Sequence, residues 1–353
     1  MRFNTEIFRK YNKVFSNLDG GLIFLEPTEN KVYANGIIQS VVLNCTFEDV
    51  KDDEKKVYAI DKKDFMHTVE FSETLNMKSD YSYEDDKHTI KGTFKAYEDD
   101  ASRLNHIKNV FVNEDNFQKS FESSEEMFRL LNRASIFVNP TDIKVSFRNL
   151  NIKNKYISAS SDYKCYVSPI DIDGEFLISA DTLKFISIFG KDVEIFNNES
   201  QEYLLKFEDG MMYFNAPTEL DYLPIDGKFQ QSYSSVMNKT VIKVNPKELI
   251  DKLGFISYYA SSVPSSCVIL KNEGDKILLC VGDTSTTLDV TSIESSEEGD
   301  LILPFNSNAL INVISKLATD DDITISVSKD SMLKLFVLNF VENENIIFAK
   351  LNI

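Results

Sequence analysis

The side chains that could do chemistry are few, and their spacing is wrong for it. The three histidines, His67, His88 and His106, lie in the first third of the chain with no shared spacing, so none stands as a general base beside a partner or as one of a ligand pair. The four cysteines, Cys45, Cys165, Cys267 and Cys280, form no Cys-x-x-Cys pair and have no histidine nearby. They read as free thiols in a reducing compartment, not as a zinc site. The acidic runs EDVKDDEKK, YEDDASR and ATDDDITI could hold a cation, but solvated loops account for them better. GDTSTTLD could present a nucleophilic hydroxyl, yet it lacks a partner base. No glycine-rich phosphate loop follows a strand, and neither HExxH nor GxSxG occurs. The Asn-Lys-Thr at Asn238 matches a glycosylation acceptor, a match without content in a cytoplasmic chain. These residues argue against an enzyme and call for no cofactor and no metal.

The bulk properties agree. The chain has 353 residues, 42% hydrophobic and 27% charged, which suits two or three globular domains. Its formal net charge of −18 repels nucleic acid and anionic membrane from the outer surface but leaves room for a local basic lining. No apolar run approaches the length of a membrane span, and MRFNTEIFRKYNKVF lacks the apolar core of a secretory signal. A cytoplasmic protein is expected.

The regularity lies in the elements. FLISADTLKFISIFGKDVEIF, from Phe176, reads as strand, helix, strand, with Ser179 as a cap and Leu183, Ile186 and Phe189 on one helical face. AIDKKDFMHTVEFSETLNMKSDY, from Ala59, and LPFNSNALINVISKLATDDDITISV, from Leu303, repeat that order about 120 residues away on either side, too long a period for a solenoid. Each copy has an earlier helix. One begins at Asn4 with Ile7, Phe8, Tyr11, Val14 and Phe15 on one face. One follows a Ser123 or Ser124 cap with Met127, Phe128, Leu130, Leu131 and Ala134. One has Asn245 as N-cap and Pro246 at its first position. Between and after the helices run short alternating stretches bounded by Asn, Asp and Gly, the pattern of half-buried antiparallel strands. The chain reads as α+β: three copies, each of two helices on antiparallel sheet, over residues 1–108, 109–238 and 239–353. The joins fall in the polar stretches EDDASRLNHIKN and YLPIDGKFQQSYSSVMNKT.

The third copy carries a family resemblance. TTLDVTSIESSEEGDLILPFNSNALINVISKLATDDDITISVSKDSMLKL is similar to the last domain of the bacterial sliding clamps, the β subunits of DNA polymerase III, in its LDV strand, its FN before an amphipathic helix and its acidic turn. YISASSDYKCYVSPI and MMYFNAPTELDYLPIDGKF resemble the second domain and the boundary after it. The likeness covers the whole chain in repeat order and is weakest in the first copy. It implies a ring around duplex DNA that tethers a polymerase without catalysis. Such a ring must close, read no bases and touch phosphates weakly. Six domains close it, so three per chain imply a homodimer joined head to tail.

The resemblance also implies sites. Helices would line the hole with Arg9, Lys10, Lys13, Lys62, Lys63, Arg129, Arg133, Lys184, Lys191, Lys247, Lys252 and Lys316. Peptides of the polymerase and the clamp loader would dock at Ser160, Asp162, Tyr163, Lys164, Cys165, Pro224, Phe348, Lys350, Leu351 and Ile353. In that pocket Asp162 stands for the family's glycine, Cys165 for a leucine, and Ala349-Lys350-Leu351 for Met-Pro-Met, departures that fit a phage-encoded or a divergent bacterial member. The ring joint would use Ile90 and Phe94 of one copy and Tyr258 and Tyr259 of another. A clamp-fold structural protein that encircles no DNA, and metal-assisted chemistry at the acidic loops, stay open as other readings.

Overall fold

Asparagine and proline punctuation sets the helices of the last third. Asn245 accepts the Lys247 and Glu248 N–H groups at 3.0 and 3.4 Å with Pro246 at the first helical position, and Asn306 accepts from Ala309 at 2.8 Å. Each cap satisfies donors that would otherwise face the chain unpaired, worth about 1 kcal/mol. The computed structural model describes residues 1–351 except 88, 98–100, 113, 123, 162–163, 190–192, 216–220, 226, 238, 274–275, 331–333 and 342–343. Its α-helices are α1 (Glu6–Lys10), α2 (Asn12–Asn17), α3 (Lys62–Phe71), α4 (Ala101–Val112), α5 (Glu125–Ser135), α6 (Val145–Arg148), α7 (Ala180–Phe189), α8 (Gly227–Ser234), α9 (Pro246–Ala260) and α10 (Ser307–Leu317).

The chain forms two compact units. The first, Met1–Phe128 with Asp181–Thr218, holds a five-stranded and an eight-stranded antiparallel sheet. In it the helix expected from Asn4 is two short helices, because the backbone breaks at Tyr11 (φ −102°, ψ 18°). The Tyr11 hydroxyl donates to Asp209 Oδ2 at 2.7 Å. Phe8 and Phe65 meet edge to face at 4.9 Å, and Phe3 and Phe15 complete the cluster. Each such ring, removed from water, contributes about 1.5–3 kcal/mol.

The second unit, Arg129–Ala180 with Glu219–Ile353, holds a nine-stranded and a four-stranded sheet, also antiparallel throughout. In the nine-stranded sheet the strand Lys164–Pro169 pairs with Asn345–Ala349, so segments far apart in sequence form one surface.

Ser124 caps α5 through the Met127 N–H at 3.0 Å, as expected. The stretch EDDASRLNHIKN, read as a polar join, contributes to α4. Leu104, Ile107 and Phe111 are buried there against Leu22, Phe24 and Tyr33. Three apolar positions at i, i+3 and i+7 suffice for one buried stripe, and the charged residues between them masked it. The second polar join likewise contains α8.

Candidate functional site

The nine-stranded sheet has one apolar face built by strand parity. Register places Cys165 opposite Ile347 and Val337 opposite Ile347, so these side chains and Val167 share one face. Leu223, Ile225 and Tyr233 pack onto it from the segment containing α8, joined at the margin by Phe229, Met237 and Leu335. Pro224 stays exposed between two buried neighbours. Beside α8 a groove of about 480 Å³ opens between Tyr233, Met237 and the Asn339–Val341 turn. Burial pushes the Cys165 thiol up to about 12, so it packs as a neutral hydrophobe and not as a nucleophile.

The opposite face takes the alternate residues. Phe348 is buried and stacks on Phe336 at 5.0 Å. Lys350 donates from Nζ to the Ser328 carbonyl at 2.8 Å, and desolvation lowers its pKa. Leu351 donates its N–H to the Pro304 carbonyl at 3.0 Å. Lys164, the register partner of Phe348, also lies on this face, its ammonium 5.3 Å from the Phe137 ring, whereas Ser160 is the partner of Cys165 on the apolar face and donates from Oγ to the Lys164 carbonyl at 3.1 Å. Of the expected pocket residues, the structure brings Ser160, Cys165 and Pro224 to the apolar face and turns Lys164, Phe348 and Lys350 away from it. The reason is the pleat: Phe348 and Ile347 are successive in one strand and point to opposite sides. Asp162, Tyr163 and Ile353 lie outside the described residues. Val167, Val337 and Ile347 were missed, although the two-residue period of NIIFA carries that signal.

The cations expected to line a hole fall into three groups. Lys13, Lys63, Lys184 and Lys316 are exposed, and their side chains make no ion pair or hydrogen bond among the described residues. Lys10 meets Glu208 and Asp209 at 2.7 and 2.6 Å, Lys247 meets Asp320 at 2.8 Å, and Lys252 meets Glu248 at 3.6 Å. Arg129 and Arg133 both pair with Glu344. Two more serve the backbone: Lys62 donates to the carbonyls of Phe15, at 2.9 Å, and Leu18, where α2 ends, and Arg9 donates to that of Ser72 at 3.0 Å. Lys191 lies outside the described residues.

An aromatic patch stands bare on α9. Phe255, Tyr258 and Tyr259 are 53%, 79% and 40% exposed, and the Tyr259 ring centroid lies 5.8 Å from that of Phe255 and 5.4 Å from that of Tyr258. Two terminal strands could accept a further strand: Lys91–Thr93 ends the five-stranded sheet and Thr284–Leu288 ends the four-stranded one. Ile90 is half-buried, its N–H donating to Asp85 Oδ1 at 2.7 Å. Phe94 is buried between Phe65 and Tyr83, at 5.6 and 4.1 Å, so its ring belongs to the core of the first unit.

The whole chain superposes on known structures. The beta chain of DNA polymerase III from Streptococcus pneumoniae matches with a TM-score of 0.75, covering 100% of this chain and 99% of that one at 13% identity. The fold is that of a DNA polymerase III beta chain. The beta subunit from Borrelia burgdorferi, solved with a natural product, matches with a TM-score of 0.74 at 12% identity, each chain covered in full. The Helicobacter pylori beta clamp bound to a DNA ligase peptide matches with a TM-score of 0.71 at 12% identity, again over both whole chains. No protein-family model matches the sequence, and no curated protein matches it. Identity this low locates the clamp likeness in backbone topology, which register and layer packing maintain while side chains change. No helix among the described residues is long and apolar enough to cross a membrane.

Proposed function

We propose that this chain is a DNA sliding clamp, a non-enzymatic processivity factor that encircles duplex DNA and tethers a polymerase. The full-length likeness to beta chains carries the reading, since the match leaves no part of this chain outside that fold. Three domains, 1–108, 109–238 and 239–353, would give a six-domain ring as a homodimer. The ring would close where the bare aromatic patch of α9 and the edge strand Thr284–Leu288 of one copy meet the edge strand Lys91–Thr93 of another. Ile90 lies beside that edge, and Phe94 would support it from the core. Head-to-tail contacts of this kind close by rotation.

Inside the ring, Lys13, Lys63, Lys184 and Lys316 would supply the phosphate contacts, with no reading of bases. The margin of the apolar face, at Cys165, the exposed Pro224 and the groove beside α8, would take the peptides of polymerase and clamp loader. The fit is a few buried apolar anchors with exchange kept fast. A related clamp holds a DNA ligase peptide, which supports this class of partner. The unusual Ala349-Lys350-Leu351 ending fits a phage-encoded clamp working in a bacterial cytoplasm with its own polymerase.

The decisive experiment loads the protein on a nicked circular plasmid with its cognate loader and then linearises the DNA. Retention on the circle and loss from the linear form is expected. Equal retention on both, or a monomer at micromolar concentration, would reject encirclement and favour a structural role.

A further inference from the structure

One carboxylate in the second unit gathers three donors. Glu344 is 3% exposed. It accepts from Arg129 through Oε1, from Arg133 Nε at 2.5 Å through Oε2, and from the Tyr166 hydroxyl at 3.1 Å. Burial, with Glu344 beside it, pushes the Tyr166 hydroxyl pKa up, so that group stays a donor.

The two arginines are held differently. Arg133 is 13% exposed, reaches the Leu317 carbonyl at 3.5 Å and lies 5.8 Å from the Phe340 ring. Its Nη2 is buried with no hydrogen-bond partner among the described residues. Releasing Glu344 would leave this guanidinium charged and uncompensated, which is costly. Arg129 is 42% exposed and gives Glu344 one nitrogen, Nη1. Its remaining N–H groups make no hydrogen bond among the described residues, so they are open to an anion from solvent.

We infer that Glu344 is a positioning residue that meters the charge α5 offers to a DNA phosphate. It holds Arg133 permanently and offsets Arg129 reversibly, so that Arg129 contacts the duplex as a weakened cation. The inference rests on the clamp reading, with α5 facing the duplex. Its consequence is mechanical: a ring that slides needs contacts that release easily, and a carboxylate competing for the same guanidinium shortens each one. The carboxylate also sits at the start of the strand Asn345–Ala349, whose Ile347 belongs to the apolar face.

The test measures binding of a fluorescein-labelled short duplex by anisotropy across a salt series, with the intact protein and with variants whose thermal melting is checked. Glu344→Gln should steepen the plot of log affinity against log salt by about one phosphate contact and tighten binding up to about tenfold at low salt. Adding Arg129→Ala to Glu344→Gln should remove that gain. Arg129→Ala alone should change affinity by less than about twofold, whereas Lys316→Ala should cost several times more. An unchanged slope in a folded Glu344→Gln, or a gain that survives loss of Arg129, overturns the inference. If Glu344→Gln does not fold, the single arginine variant decides: a loss as large as that of Lys316→Ala overturns it. Failure of Lys13→Ala and Lys316→Ala to change binding at all would instead strike the clamp reading itself.

Discussion

The second unit carries two apolar surfaces, and they are finished in opposite ways. Around Val167, Val337 and Ile347 the sheet is roofed by Leu223, Ile225 and Tyr233 from its own chain. On α9, Phe255, Tyr258 and Tyr259 stay exposed among the described residues. A surface that must stay stable while partners come and go needs cover within the chain and access only at its margin, here Cys165, exposed Pro224 and the groove beside α8. A surface meant for one lasting partner can be left bare, because a second copy removes it from water. On the proposed clamp reading, the first surface would serve transient docking and the second ring closure.

The strongest blow to that distinction falls on the bare side. Tyr258→Asp with Tyr259→Asp should turn a dimer into a monomer in sedimentation at micromolar concentration, a loss on the order of 4 kcal/mol or more of association energy. Melting of the isolated chain should shift little, since both side chains are exposed. An unchanged dimer would put the joint elsewhere.

Ile347→Asp is expected to do the reverse. A charge placed on the roofed face should cost about 3 kcal/mol of folding stability and abolish capture of polymerase peptide. Denaturant melts and peptide pull-down report the two effects separately. If peptide binding persists in the folded variant, the pocket lies elsewhere.

Removing Leu351–Ile353 is milder. It deletes the bond from Leu351 to the Pro304 carbonyl, worth about 1 kcal/mol, and should leave the dimer intact. Stimulation of the polymerase on a long primed template should fall sharply, and full processive synthesis would separate this terminus from docking.

The smallest expected effect concerns pH at the edge strand Lys91–Thr93. Asp85 accepts from the N–H groups of Ile90 and Thr89, each at 2.7 Å, and from the Thr89 hydroxyl at 2.8 Å. The Ile90 bond is the main reason its carboxyl is held below the ordinary value. A depressed carboxyl stabilises the turn above the unfolded value near 4 and loses that support as pH falls through the folded one. Dimerisation of the wild type should therefore weaken below about pH 4 more steeply than that of Asp85→Asn, by sedimentation. Parallel curves for the two proteins would remove Asp85 from the joint.

Much of this architecture could be read directly. The helices after Ser124, Asn245 and Asn306 and the α+β class follow from caps, periodicity and turn residues, all local properties of the chain. α4 escaped notice because Leu104, Ile107 and Phe111 are embedded among Asn, His and Lys. The break at Tyr11 escaped because its partner Asp209 is remote in sequence. At the candidate site, Cys165 and Pro224, expected from the family resemblance, lie at the apolar face. Phe348 was assigned to the pocket although the pleat directs it to the core.

Sequence alone determined the elements, the absence of a recognisable catalytic motif and the acidic balance of the chain, because propensity, capping and charge act over a few residues. Tertiary structure alone decided that Lys164–Pro169 would lie beside Asn345–Ala349, and that Glu208 and Asp209 would neutralise Lys10 while Glu344 took both Arg129 and Arg133. Those outcomes depend on which segments long-range sheet pairing brings within a few ångströms. Coulombic and hydrogen-bond energies fall away over that distance, so no local pattern could reveal which cations would stay without an ion pair among the described residues.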